Sequence, residues 1–241
     1  MSGLNAKKAP KPTNNSNRVQ QELMEVGTEE ARVVAVIDLG LQPQRPYKGQ
    51  EKPPVNMVRL TYEFPNLFIV DENGDELEDK PRWLSEDIPF KSLELDLAKS
   101  TKRYKAIDPE DTNDGDFTGL IGMPCMVTVG QYSYMKDGEE KSGNQVNDVS
   151  PITKRKADKL GELVNPPQVF LLDDPDMELF ESFPDWLKDK IKKNLEFAGS
   201  ELEAALNGGK KKKPKPQEVE DDIEEPVEDN VVEDEADDWL D

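Results

Sequence analysis

Histidine is absent from the 241 residues, and cysteine occurs once, at Cys125. The first absence removes the commonest general base at neutral pH and the commonest zinc ligand. The second excludes an intrachain disulfide and fits a reducing compartment. No apolar run approaches the ~18 residues that a membrane span needs. The N-terminal segment is rich in Lys, Pro and Asn and lacks the apolar core of a secretory signal. A cytoplasmic protein with no membrane partner is expected. A phosphate-binding loop is also missing, because Gly119-Leu120-Ile121-Gly122 lacks the Lys-Ser/Thr that completes one. Asp111, Asn113 and Asp116 resemble a calcium loop in composition, but their spacing is not that of an EF-hand and no glutamate occupies the twelfth position. Cys125 lies in an apolar stretch with Met123, Met126 and Val127 and reads as a buried small hydrophobe. No catalytic residue, metal or cofactor is expected, and the chain reads as a non-enzyme.

Positive charge is scarce as well. Lys and Arg number 31 against 52 Asp and Glu, a net charge of −21. Much of the excess sits at one end. Of the 24 residues Glu218–Asp241, 14 are acidic and none is basic. The run closes on Asp237-Asp238-Trp239-Leu240-Asp241. Such a segment has too little apolar surface to offset its ordering entropy, so a disordered tail is expected, with Trp239 and Leu240 as the groups a partner protein would bury. Just upstream, Lys210–Lys213 and Lys215 form a basic run. Setting aside the tail (−14), the basic run (+5) and the arm Met1–Asn17 (+3) leaves −15 for the remainder. That sign counts against nucleic-acid binding unless the charges are segregated.

Between the termini, apolar alternation predicts strands. Ala31–Leu41 is one, with Ala31, Val33, Ala35, Ile37, Leu39 and Leu41 on one face. Val55–Phe64 is a second, with Val58, Leu60, Tyr62 and Phe64 together. Asn73-Gly74 marks a hairpin turn, since both residues tolerate positive φ, and Arg82–Phe90 returns as a strand. Lys91–Ile107 reads as a helix, Phe117–Leu120 as a short turn, Gly122–Tyr134 as a strand, and Gln145–Val149 as its partner across a turn at Asp137-Gly138. Strands then follow the order β-β-β-α-β-β, which is that of an OB-fold. The expected architecture is mainly β: a five-stranded OB-like barrel with one inserted helix, then a helical appendix over Asp176–Phe197. By residue number, a disordered basic arm spans 1–17, the barrel 18–165, the appendix 166–207, and the linker with its acidic tail 208–241.

Basic and aromatic residues cluster where such barrels hold single strands, in the first inter-strand loop and on the second and third strands. Arg45, Tyr47 and Lys48 fall in the loop. Arg59 and Tyr62 fall on the second strand, and Trp83 on the third. Lys102, Arg103, Tyr104 and Lys105 close the helix, and Tyr132 and Tyr134 end the fourth strand. Cations that track phosphates and rings that stack on unpaired bases, at ~1–3 kcal/mol per base, are the two requirements of a single-strand groove. Each residue has a plainer reading beside this one: Tyr62 and Trp83 as core, and Lys102–Lys105 as cations suited to a helix C-terminus.

The stretches ARVVAVIDLGLQPQRPYKGQEKPPVNMVRLTYEF, PRWLSEDIPF, KSTKRYKAID and DFTGLIGMPCMVTV resemble bacteriophage single-stranded DNA-binding proteins of OB type, over about Thr28–Pro151. The acidic end resembles the tips with which such proteins recruit replication proteins, although here the last residue is Asp241 rather than an apolar one. The resemblance implies sequence-tolerant, non-catalytic binding of single-stranded DNA in replication or recombination, in the host cytoplasm if the chain is phage-encoded. It also implies a tail that recruits partner proteins and competes with DNA; a homo-oligomer is compatible with it. The net charge supports a different class: an acidic adaptor or DNA mimic that binds a basic protein and no nucleic acid. Convergence of Arg45, Lys48, Arg59 and Lys102–Lys105 on one groove would separate the two.

Overall fold

The computed structural model describes residues 22–71, 73–136 and 138–208. The N-terminal arm, the lysine run and the acidic tail with Asp237, Asp238, Trp239, Leu240 and Asp241 lie outside them. Strands β1 (Gly27–Gln42), β2 (Val55–Val70) and β3 (Glu76–Pro89) lead to helix α1 (Lys99–Ile107) and a 3-10 turn at Phe117–Leu120. Strands β4 (Pro124–Lys136) and β5 (Glu139–Ser150) follow. Helix α2 (Lys154–Ala157) comes next, and the appendix contains β6 (Gln168–Phe170), α3 (Met177–Ser182), α4 (Asp185–Lys192) and α5 (Glu201–Leu206). In space the strands run β3-β2-β1-β4-β5, all antiparallel, with β6 added beside β1. The result is a nearly closed five-stranded barrel of OB-like fold.

Strand β1 builds two cores. The alternation of Ala31–Leu41 predicts one buried face, but a bulge between Val33 and Ala35 shifts the register against β2. A one-residue slip moves every later side chain to the opposite face. Ala31 and Val33 therefore point into the barrel with Leu60, Tyr62, Phe64, Cys125 and Val127. Ala35, Ile37 and Leu39 point out and pack against Phe170, Phe180, Phe183, Leu187 and Ile191 of the appendix. Full burial pushes the Cys125 thiol up to about 12, so it stays protonated.

The same strand changes neighbours. Its first half, Gly27–Arg32, pairs with β4, whereas Ala35–Ile37 pairs in parallel with β6. Arg32 stands at the changeover and donates to the carbonyls of Gly122 (2.8 Å) and Gly161 (2.7 Å). Glu63, fully buried, accepts from the backbone N–H groups of Val164 (2.7 Å) and Asn165 (3.1 Å) and from the Asn165 side chain (2.6 Å). A buried carboxylate needs such donors, and these three pin the start of the appendix to β2. Gly40, at φ 69°, lies directly under the appendix, where a Cβ would come within 2.7 Å of Leu172 and 2.8 Å of Asn194.

Two predicted helices are shorter than expected. Lys91–Ala98 forms turns, and α1 begins at Lys99. The hydroxyls of Ser100 and Thr101 hold the preceding segment through the carbonyls of Lys91 and Ser92. The stretch Asp176–Phe197 breaks at Pro184, because a residue before proline is driven extended. Phe183 sits at φ −66°, ψ 147°.

Asp108 organises the loop after α1. It accepts from the backbone and side chain of Thr112 and of Asn113, at 2.9–3.0 Å. Burial alone would raise its pKa, but these bonds outweigh it and hold the carboxyl down at about 2. The depressed value means that its contribution is complete above the unfolded value, about 3.9, and is lost as pH falls through 2. Asp108→Asn is expected to cost about 1–3 kcal/mol at neutral pH and to flatten the fall in stability between pH 4 and pH 2. Urea unfolding at stepped pH checks this, and parallel curves for the two proteins would refute it.

Candidate nucleic-acid interface

The outer face of β2 and β3 carries the residues that alternate away from the barrel. On β2 these are Arg59, Thr61 and the buried Glu63. Across from them on β3 stand Asp87 and Ser85, with Trp83 opposite Glu63. Thr61 and Ser85 share a hydrogen bond of 2.9 Å. Asp87 accepts from Arg59 Nη1 and from Lys190 Nζ of α4, both at 2.6 Å. One carboxylate therefore serves two cations, and the cluster keeps a net positive charge.

Helix α4 forms the facing wall. Leu187 and Ile191, four residues apart, are buried against β1. Trp186, one position earlier, falls beside that buried face, about 100° round the helix, and remains 53% exposed. The Arg59 guanidinium lies 4.8 Å from its ring centroid. Trp83 is 57% exposed. Arg59, Thr61, Trp83, Ser85, Trp186 and Leu187 line a cleft of about 360 Å³ between the β1–β3 surface and the appendix.

A larger cavity, about 580 Å³, lies between the end of β1 and the last segment of the appendix. Asp38, Asp116, Asp173, Glu196 and Glu201 are among its lining. Burial, with Asp173 and Glu196 nearby, raises the Asp38 carboxyl. That surface repels a polyanion, so the smaller cleft is the candidate interface. Among the described residues, no group of three or more His, Cys, Asp or Glu side chains is placed to hold a metal ion.

The structure separates the predicted site residues. Three are buried where surface positions were expected. Tyr62 alternates into the barrel with Leu60 and Phe64, and its hydroxyl donates to Glu86 at 2.9 Å. Burial and the Glu86 charge raise its pKa well above the usual tyrosine value. Arg103 lies on the inner face of α1, where Nε reaches Glu86 at 2.8 Å and Nη1 reaches Asp148 at 2.7 Å. Tyr104, also on that face, donates to Asp111 at 2.9 Å. Burial and this bond push its hydroxyl up to about 12. None of the three presents a surface to a ligand, and each stabilises the barrel instead.

The others, apart from the partly buried Arg59, are exposed but spread over several elements. Arg45, Tyr47 and Lys48 occupy the β1–β2 loop, where the ammonium groups of Lys48 and Lys52 lie 5.1 and 4.7 Å from the Tyr47 ring centroid. Lys102 and Lys105 are on the outer face of α1, and Lys105 pairs with Asp96 at 2.6 Å. Tyr132 and Tyr134 stack on each other at 5.9 Å on the β4–β5 hairpin. Tyr132 also covers Gly143, where a Cβ would meet its hydroxyl at 2.8 Å.

Of the predicted cations and aromatics, the cleft brings together Arg59 and Trp83 only. Trp186 and Lys190 were missed. The signal for Trp186 lies in the helical period: Leu187 and Ile191 define the buried face, and a residue one step from Leu187 falls beside it.

No protein-family model matches the chain. No curated protein sequence matches it either.

Proposed function

We propose that the chain is a non-catalytic, sequence-tolerant single-stranded DNA-binding protein of a replication or recombination system, of the bacteriophage type its sequence resembles, acting in the cytoplasm. The observation that carries this reading is the cleft on the outer face of the OB-like barrel. Two exposed indoles, Trp83 and Trp186, flank it, and Arg59 and Lys190 share a single carboxylate beside them. Indoles supply stacking surfaces for unpaired bases, and the surplus cation neutralises phosphate with release of counterions. Lys48 and Lys52 beside Tyr47 repeat the pairing in the β1–β2 loop. In this reading the acidic tail competes with DNA for the cations and, when displaced, recruits replication or recombination proteins through Trp239 and Leu240.

One observation favours the acidic adaptor instead: Arg103 is consumed internally, and the remaining cations do not share one groove. Fluorescence anisotropy of labelled oligo-dT separates the two. The full chain and a truncation ending at Gly209 would be titrated across a salt series. Binding that weakens with salt, by about 0.7 log units per log unit of salt for each phosphate neutralised, and that tightens on truncation is expected. No binding by either form at low salt would overturn the proposal and favour the adaptor.

A further inference from the structure

The appendix is more than a cover for the outer face of β1. Helix α4 is held firmly. Leu187 and Ile191 lie in the second core, the Gln42 side chain donates to the Lys190 carbonyl at 3.1 Å, and the Leu195 N–H donates to the Leu41 carbonyl at 2.8 Å. A docked helix presents Trp186 in a fixed place. Its indole nevertheless stays half exposed beside a cleft, although burying it would remove a large apolar area from water.

Both indoles line the same cleft, Trp83 from β3 and Trp186 from α4. Trp83 stands four residues along β3 from Asp87, the position opposite Arg59 and hence beside Trp186. Four residues of strand span about 13 Å. Thr61 and Ser85 lie between these positions and offer hydroxyls at the floor. At the Trp186 end, Asp87 holds Arg59 and Lys190 with one charge against two.

We infer that α4 is a wall of the DNA site. An unpaired base lies between Trp83 and Trp186, and Lys190 with Arg59 neutralises the adjoining phosphate. The inference rests on the single-strand reading above and assigns binding residues to a segment outside the barrel. The test is oligo-dT anisotropy with the full-length protein and its Trp186→Ala and Trp186→Phe variants, each checked for an unchanged circular dichroism spectrum. Trp186→Ala is expected to weaken binding about five- to 150-fold, the range that corresponds to ~1–3 kcal/mol of stacking. Trp186→Phe, which keeps an aromatic face, is expected to recover most of it. Wild-type affinity in Trp186→Ala, or equal loss in both variants, would overturn the role of α4 while leaving the single-strand reading intact. Absence of binding by the wild-type protein would overturn both.

Discussion

Replacing Arg103 with alanine is expected to cost about 3–5 kcal/mol of folding stability, the usual effect of removing one partner from a buried ion pair. Strands β3 and β5 form the seam of the barrel, and no hydrogen-bonded ladder joins them among the described residues. Arg103 bridges this seam. Its guanidinium contacts Glu86 on β3, Asp148 on β5 and the carbonyl of Asn147. Burial opposes the charge, but the Glu86 contact outweighs it and raises the Arg103 pKa further. Without Arg103, Glu86 would keep Tyr62 and the half-exposed Lys99 as partners and would lose its fully buried counter-ion. Arg103→Lys should not restore the bridge, since an ammonium cannot span three acceptors as a planar fork does. The double variant Arg103→Met with Glu86→Leu should recover only part of the loss: apolar replacement of a buried pair is often neutral or better, but the buried Tyr62 hydroxyl loses its acceptor, which costs about 1–3 kcal/mol. Urea unfolding measures all three. A loss below about 1 kcal/mol for Arg103→Ala, the size expected of an exposed pair, would show that the seam does not depend on this bridge.

Phe180→Ala is expected to be as costly locally, about 3–5 kcal/mol, and to act on a different part of the molecule. Phe180 is fully buried between Phe170 and Phe183, with ring centroids 5.6 and 6.2 Å away. These rings join α3 to β6 and, through Ala35, Ile37 and Leu39, to the outer face of β1. The barrel core contains none of them. Hydrogen exchange should therefore rise over Gln168–Leu206 while Ala31, Leu60 and Val127 stay protected. On the proposed reading, DNA affinity falls with the appendix, because Trp186 loses its platform. Uniform loss of protection across β1, β2 and β4 would instead mean that the two cores fold as one cooperative unit.

Much of the barrel was legible because its signals are local. Alternation in Val55–Phe64, the turn at Asn73-Gly74 and the Phe117–Leu120 turn depend on neighbouring residues, and all three fall where they were expected, although only Gly74 of the turn pair takes positive φ. The breaks were less legible. The bulge at Val34 leaves no mark in an unbroken apolar run, yet it decides which half of β1 faces the barrel and which faces the appendix. Pro184 was visible, but an apolar period on both sides of it concealed the division of the appendix into separate helices.

The site divides in the same way. Sequence alone determined the residue types available: no histidine, a large acidic excess, and a few cations set beside aromatics. It also determined the strand order, because hydrophobic period and turn chemistry act over a few residues. Tertiary structure decided which of those cations and rings reach a surface. Tyr62, Arg103 and Tyr104 differ little in type from Tyr47, Lys48 and Tyr134, and burial separates them because one set faces the interior and the other solvent. The meeting of Arg59 with Trp186 and Lys190 joins residues more than a hundred positions apart. Only the docking of α4 on the outer face of β1, driven by burial of Leu187 and Ile191, brings them together.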